Sequence, residues 1–352
     1  MQSEAQIIER IRRRFSLRAA PHPDWLRLGL GDDAAVILAC AKNTGAAKGK
    51  SGNARREWVL SCDAFLEDVH FRAGLHPPGA VGYKALARAT SDLAAMGARP
   101  RFFLLSLALP AARCGVWLDG FLTGLARASR QFEIVLAGGD TSRFPKVAVS
   151  ITVGGEVTAG HALTRAGARP GDLIFVSGTL GAAQLGLELI LRGLVKNRAG
   201  NQRWRRVLAA HTRPEIRLKL GMWLSGEQPR GSRVASAAID TSDGLSTDLN
   251  HICESSGVGA RIQEELLPIM RIPSIFHKIG LSALELALHG GEDYQLLFTV
   301  PARVAGRVHG SYYGVKITQI GEITRRRHVE LIRGDGRSER LLPRGWDHFR
   351  KT

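Results

Sequence analysis

The sequence has no long apolar run, few cysteines and no opening stretch that reads as a secretory signal. Its longest apolar stretch, Phe102 to Ala112, falls far short of the roughly 20 residues that span a bilayer. Only four cysteines occur in 352 residues (Cys40, Cys62, Cys114, Cys253), and none has CxxC spacing. That count excludes a paired framework, argues against a zinc site, and points to reduced thiols in a cytoplasmic protein. No secretory signal opens the chain. Met1 to Phe15 reads as an amphipathic helix with Ile7, Ile8, Ile11 and Phe15 on one stripe. Glu4 and Glu9 argue against an organelle transit peptide despite Arg10, Arg12, Arg13 and Arg14. Acid is the scarcer charge, with 32 acidic residues against 49 basic and a net charge of +17. Such an excess fits either nucleic-acid affinity or a generally basic surface. Aromatics are only 6% and do not interleave with the scattered basic residues, which favours the second reading.

Glycine is abundant, at 40 residues, and apolar content is 44%. Both fit a mixed α/β protein with many tight turns. The length predicts two domains, 1–158 and 159–352. In the first, Trp58 to Cys62 reads as a strand leading into Asp63, Tyr83 to Gly97 as an alanine-rich helix, and Phe102 to Leu109 as a buried strand. Val116 to Gln131 reads as a second helix, Glu133 to Ala137 as a short strand delivering Gly138-Gly139-Asp140, and Val147 to Val157 as an alternating strand. In the second, strands are expected at Leu173 to Ser177, Ala235 to Ile239, Tyr294 to Val300, Gly321 to Thr324 and Val329 to Ile332. Helices are expected from Gly178 to Leu194, Gly244 to Ser255 and Ala283 to Leu288. This mixed order favours α+β over a doubly wound sheet. The stretch Ala41 to Arg56 is a basic, Gly-rich and Ala-rich insertion. Its Gly45 to Ser51 segment imitates a P-loop, but three residues separate the glycines where four are required.

Five short motifs carry aspartate: Gly31-Asp32-Asp33, Ser61-Cys62-Asp63, Ser91-Asp92, Gly138-Gly139-Asp140 and Asp240-Thr241-Ser242-Asp243. Singly, each reads as a turn residue or a helix cap. Together, near strand ends and helix starts, they read as oxygen ligands for Mg2+ shared with phosphates. Asp92 lies inside a helix, where aspartate is disfavoured; it reads either as an ion-pair partner of Arg88 four residues earlier or as a carboxylate aimed at metal. Thr241 or Ser242 is a candidate helix cap, and Asp248 reads as structural. Gly290-Gly291-Glu292-Asp293-Tyr294 is an acidic turn in which Glu292 is either a substrate contact or an exposed turn residue. A lone histidine such as His70 is more often structural, and no nucleophile with an adjacent base is arguable.

These runs resemble the thiamine-monophosphate kinase family. The resemblance rests on Gly29 to Val36, Ala85 to Ala98, Gly138 to Ser142, Asp240 to Leu249, Gly290 to Tyr294, Arg165 to Asp172 and the closing Gly345 to Phe349. It covers nearly the whole chain in order. The wider superfamily includes aminoimidazole ribonucleotide synthetase, selenophosphate synthetase and a hydrogenase-maturation protein. The resemblance implies an N-terminal domain that dimerises through its sheet, a C-terminal α/β domain, and ATP between them. It implies Mg2+ ligands at Asp33, Ser61, Cys62, Asp63, Asp92, Asp140, Asp240 and Asp243, with Asp92, Asp140 and Asp243 closest to catalysis. ATP contacts are implied at Gly139, Asp140, Arg165 and Ser242, and thiamine monophosphate contacts at His70, Glu292 and Trp346. Cys62 departs from the threonine usual in the family; a thiol is a poor Mg2+ ligand, so that contact falls to a backbone carbonyl or is lost. The 41–56 insertion also exceeds the family's usual length. No Cys setting suits selenophosphate chemistry, and the closing Arg350-Lys351-Thr352 has no cysteine for hydrogenase maturation.

Overall fold

The structure, a computed structural model, describes residues 6, 26–28, 32–38, 55–195, 202, 204–227 and 231–348. The expected helix at 1–15 except Gln6, Gly31, Cys40 and most of the 41–56 insertion with its P-loop imitation lie outside the described residues.

Two sheets organise the chain. The first has six strands: β1 (Leu26–Leu28), β2 (Ala35–Leu38), β3 (Arg56–Leu66), β4 (Arg99–Leu109), β5 (Val135–Arg143) and β6 (Ala148–Thr158). They lie in the order β1-β2-β3-β6-β4-β5. Only the β4–β5 pair is parallel. Helices α1 (Pro78–Ala95) and α2 (Val116–Phe132) cover one face. Alternation on the strands decides which side chains meet them. Phe103, Leu105, Leu107 and Leu109 of β4 are buried, as are Val149, Ile151 and Val153 of β6. The intervening Leu104 and Ser106 face the other way and are exposed. All nine residues of the edge strand β5 are exposed.

The second sheet runs β14-β13-β9-β12-β7-β10-β8, with β11 (Ser311–Tyr312) on β12 (Val315–Thr324). Its other strands are β7 (Leu173–Ser177), β8 (Ala237–Asp240), β9 (Gly259–Gln263), β10 (Leu296–Val300), β13 (Val329–Ile332) and β14 (Ser338–Arg340). Every residue of β8 and β10 is buried, because helices cover both sides of the sheet there. Leu245, Leu249 and Ile252 of α6 (Leu245–Ser256) pack in one core, and Leu220 and Leu224 of α5 (Leu218–Ser225) in another. Helices α3 (Ala182–Leu191), α4 (Arg205–Thr212) and α7 (Ala283–His289) complete the described set of regular α-helices.

Helix α1 ties the halves together. Pro78 occupies its first turn, where a missing N–H does no harm, and Gly97 at φ +69° stops the chain just beyond it. The helix therefore starts five residues before the expected Tyr83. Most of its apolar residues pack on the first sheet, whereas Ala94 and Ala95 join a core with Leu220, Leu224, Ala238 and Leu296 of the second half. α2 approaches α1 through glycines, since a Cβ on Gly124 would lie 1.8 Å from the Gly79 carbonyl oxygen.

Several expected boundaries move. β3 runs through Asp63 to Leu66 and β5 through Asp140 to Arg143, so two acidic motifs sit within strands rather than at their ends. Ladder pairing and the return of Phe65 to the core carry β3 past its polar residues. α3 stops at Leu191 instead of Leu194, and β9 has no counterpart in the expected elements.

Gly124→Ala is expected to destabilise the protein by about 1–3 kcal/mol, because the clash is with backbone and forces α1 and α2 apart. Gly74→Ala, with open space around the new Cβ, is the control. Urea unfolding midpoints of both variants check this.

Candidate active site

Three carboxylates from separate elements converge. Asp33 precedes β2, Asp92 lies on α1 and Asp240 ends β8; one oxygen of each lies within 4.8 Å of the others. Each is held by a specific donor. Ser61 Oγ donates to Asp92 Oδ2, and Ser91 Oγ donates to Asp240 Oδ2 at 2.5 Å. Arg165 donates through Nε to Asp33 Oδ1 at 3.0 Å, and its backbone N–H reaches Asp32 Oδ2 at 3.1 Å. Asp33 Oδ2 is buried and has no hydrogen-bond partner.

Arg165 compensates the group only in part. Burial pushes the Asp92 carboxyl well above the usual range, and Asp63, Asp240 and Asp33 push it further. Burial and the Asp33 charge raise Asp240 to about 7. Burial raises Asp33 against the opposing charge of Arg165, and burial with Asp33 raises Asp32 to about 6. Buried like charges shift in this way when no cation offsets them. Hard oxygen donors at this spacing, with one buried oxygen orphaned, fit a divalent cation such as Mg2+.

Strand parity sorts the residues of the second motif, Ser61-Cys62-Asp63. Ser61 and Asp63 share the covered face of β3 with Val59 and Phe65, and Asp63 Oδ2 lies 3.9 Å from Arg88 Nε. Arg88 therefore faces Asp63, and Asp92 accepts from Ser61; of the two readings of Asp92, the ion pair with Arg88 is not among the described contacts. Cys62 points to the opposite, open face, with its Sγ 3.4 Å from Ser150 Oγ. Its thiol is turned away from the three-carboxylate group.

Asp140 is also on the open face. It pairs in register with Ser106 and accepts from Ser142 Oγ at 3.2 Å. Three strand spacings, about 14 Å, separate β5 from β3. Within one chain, Asp140 and Gly139 are not brought to the three carboxylates. A Cβ on Gly139 would lie 1.8 Å from the Leu105 carbonyl oxygen, so only glycine fits against β4 there.

The Asp240–Asp243 turn and the Gly290–Tyr294 turn are stitched by backbone. Glu292 N–H donates to the Ser242 carbonyl at 2.8 Å, and Tyr294 N–H to that of Thr241 at 2.9 Å. Neither Thr241 nor Ser242 caps α6. Asp248 Oδ2 accepts the Gly244 N–H at 3.0 Å instead, so Asp248 has the structural role expected of it. The Asp243 carbonyl accepts the Trp346 N–H at 3.1 Å.

Glu292 sits at φ +67° with its Oε2 2.7 Å from Lys84 Nζ and 3.3 Å from His211 Nδ1. Burial would raise its carboxyl, but the charge of Lys84, the His211 hydrogen bond and Arg88 hold it well below the usual carboxylate range. His70 lies in the turn after β3. Its Nδ1 accepts the Leu66 N–H at 3.0 Å, which leaves any proton of the neutral ring on Nε2. Burial, then the Arg88 charge, lowers His70 to about 3. His348 bridges His70 and Trp346, with ring centroids at 5.0 and 5.6 Å. His348 thus links His70 to Trp346, and Lys84 links Glu292 to α1, the helix that carries Asp92.

Sequence reasoning missed Lys84, His76 and His211, and treated Ser91 only as part of a motif. One signal for α1 was present. Lys84, Arg88 and Asp92 recur every four residues on an otherwise apolar helix and so share a face. His211 carried no local signal, since it reaches the site from α4 by tertiary packing.

Comparison with known proteins agrees with this architecture. Residues 31–157 match the family model of the AIR synthase related protein N-terminal domain, and residues 169–334 match that of the C-terminal domain. Thiamine-monophosphate kinase of Escherichia coli (strain K12) is 38% identical over 326 residues, 92% of each chain. That of Bacillus subtilis (strain 168) is 33% identical over 338 residues, covering 94% of this chain and 95% of its own. A solved structure described as AaThiL complexed with AMPPCP and TMP superposes with a TM-score of 0.80 at 31% identity, covering 99% of this chain and 97% of the other. The chain belongs to the AIR synthase related family and, within it, to the thiamine-monophosphate kinases.

Proposed function

We propose that this protein transfers the γ-phosphoryl group of ATP to thiamine monophosphate, giving thiamine diphosphate and ADP, by direct in-line displacement assisted by several Mg2+ ions. The observation that carries the reading is the Asp33–Asp92–Asp240 group, built from both halves of the chain, beside Glu292 and His70. The relative complexed with AMPPCP and TMP supports the pair of substrates. We take 1–158 and 159–352 as the two domains, with the reaction at their junction. No described helix is long and apolar enough to cross a membrane, and a nucleotide-dependent kinase of this class suits the cytoplasm.

The acceptor is a phosphate oxygen that is already anionic. The bond from the γ-phosphorus to the bridging oxygen of ADP breaks as the bond to the acceptor oxygen forms, and no proton need be abstracted. The task is alignment and charge neutralisation. Divalent cations at Asp33, Asp92 and Asp240, with Ser61, Asp63 and Asp243 adjoining, would supply the positive charge that two phosphate groups require. Arg165, anchored on Asp33, and Ser242 serve the nucleotide side. Glu292, His70 and Trp346 serve the thiamine side: an anion for a cationic ring, a neutral imidazole and an exposed indole. Transfer proceeds without a phospho-enzyme.

A homodimer completes the reading. The open face of the first sheet has no helix over it among the described residues, and Val135, Leu136 and Leu104 are exposed on or beside its unpaired edge. Such an edge invites a second copy. Asp140 and Gly139 lie on that face, so Asp140 of the partner subunit serves the carboxylate group that its own chain leaves out of reach.

Three outcomes test this. ADP release from ATP and Mg2+ should require thiamine monophosphate, and Asp92→Asn should lower kcat by at least about a hundredfold; ADP release that ignores thiamine monophosphate overturns the substrate assignment. Asp92→Asn and Asp140→Asn, each inactive alone, should recover about one quarter of wild-type activity when subunits are exchanged one to one, because half the dimers then hold one intact composite site. No recovery after verified exchange overturns the shared site.

The third outcome concerns pH. The folded pKa of Asp240 is about 7 against 3.8 for the free side chain. The folded state therefore binds this proton more tightly, and stability falls as pH rises from about 4 to about 7. In EDTA, the unfolding midpoint should increase as pH drops from about 7.5 to about 5.5. Asp240→Asn or added Mg2+ should flatten that slope, as read by thermal unfolding.

A further inference from the structure

Beneath Glu292 lies a chain of buried polar groups that the phosphoryl transfer itself does not use. Lys84, on α1, is 3% exposed, and its Nζ lies 2.7 Å from Glu292 Oε2 and 3.2 Å from His211 Nδ1. His211 is fully buried on α4, and its Nε2 lies 3.0 Å from Nε2 of His76. His76 Nδ1 lies 3.1 Å from the Arg72 carbonyl oxygen.

An ammonium donates and never accepts, so Lys84 donates to Glu292 Oε2 and faces His211 Nδ1. Two tautomer pairs meet the remaining contacts. With the His211 proton on Nε2, His76 Nε2 accepts and the His76 Nδ1–H faces the Arg72 carbonyl. With the His211 proton on Nδ1, it faces Glu292 Oε2, the His76 Nε2–H donates to His211, and His76 Nδ1 accepts the Arg72 N–H at 3.1 Å. Both imidazoles are neutral in either pair. Burial, with the Lys84 charge, lowers His211 to about 4 and also lowers His76, which keeps the chain neutral in the physiological range.

The arrangement has a direction. Lys84 is a cation backed by two buried imidazoles, and its shortest contact is the carboxylate in front. Both protein contacts of Glu292 use Oε2; Oε1 has none among the described residues, and the side chain is 23% exposed. The left-handed backbone at Glu292 and Tyr294, with φ of 67° and 48°, aims the carboxylate at an angle that an L-residue takes only when its surroundings enforce it.

Resting on the thiamine monophosphate reading above, we infer that Lys84 is a positioning residue for that substrate: with His211 and His76 it fixes Glu292 as an oriented carboxylate whose free Oε1 accepts from the amino-substituted, cationic ring system of the acceptor. A lone surface glutamate would sample many rotamers and be screened by water. One held by a buried ammonium presents a single oxygen at a set place, which is what discrimination for an exocyclic amino N–H requires.

The alternative is that the Lys84–Glu292 pair simply clamps the two halves of the chain. The two roles separate kinetically. Lys84→Met, Glu292→Gln and the double variant are compared for KM of thiamine monophosphate, KM of ATP and kcat, with folding checked by thermal unfolding. Lys84→Met should raise the KM of thiamine monophosphate about tenfold or more while the KM of ATP moves less than about twofold. In the Glu292→Gln background the same Lys84 substitution should add less than about twofold, because its effect passes through that carboxylate. His211→Gln, which leaves the ion pair in place, should give a smaller rise and serves if Lys84→Met does not fold. If Lys84→Met raises both KM values alike, or if its effect persists undiminished beside Glu292→Gln, the positioning role is overturned and the kinase reading stands. If wild type makes no ADP in response to thiamine monophosphate, the substrate assignment falls and the positioning role falls with it.

Discussion

Helix α1 is buried on nearly every side, so its polar groups turn to partners inside the protein, although Arg88 Nε and Nη1 have no hydrogen-bond partner among the described residues. An unmet buried donor or acceptor costs about 1–3 kcal/mol, and an unmet charge more. Lys84, Thr90, Ser91 and Asp92 all meet this demand differently. Thr90 bonds back to the Leu86 carbonyl within the helix. Ser91 reaches forward to Asp240, Asp92 is met by Ser61, and Lys84 meets Glu292. Three of the four partners come from other elements. The satisfaction of one helix thus sets the relative positions of β3, β8 and the Gly290–Tyr294 turn, which together form the site.

The charge distribution follows a related logic. The chain carries a net +17, yet its described interior gathers Asp32, Asp33, Asp92, Asp240 and Asp248 in one region, with Arg165 on Asp33 and Arg88 facing Asp63. Repulsion among these groups opposes folding; Arg165 offsets part of it, and protonation or a bound cation relieves the rest. Function is bound to that conflict: a site already neutralised from within would have nothing to offer a metal–phosphate complex. The thiamine side is built the opposite way, with the Glu292 charge matched in advance by Lys84 and the weight placed on direction rather than on net charge.

The sequence made the acidic motifs and the two-half organisation legible because glycine and aspartate announce tight backbone turns and the apolar runs announce buried strands. It misled where a motif was short and its context was a ladder. Ser61-Cys62-Asp63 looks like a strand end, yet pairing with β6 carries β3 three residues further, and alternation then sends Cys62 away from its two neighbours. The cap of α6 was sought at Thr241 or Ser242, but Gly244 with Asp248 four residues on serves it. Local chemistry could not reveal His211, nor that Arg88 prefers Asp63 to Asp92, because both depend on which elements pack across α1.

Sharing one helix between two halves also has a consequence in time. Asp92 is made long before Asp240: 148 residues separate them along the chain (240 minus 92), and Glu292 comes later still. At ribosomal rates the interval is on the order of ten seconds. During that interval a nascent first half, with its sheet already assembled, would hold Lys84, Ser91, Ala94 and Ala95 without the groups that finally cover them. The same face that assembles the site is, for a newborn chain, an unfinished surface in need of protection until the second half arrives.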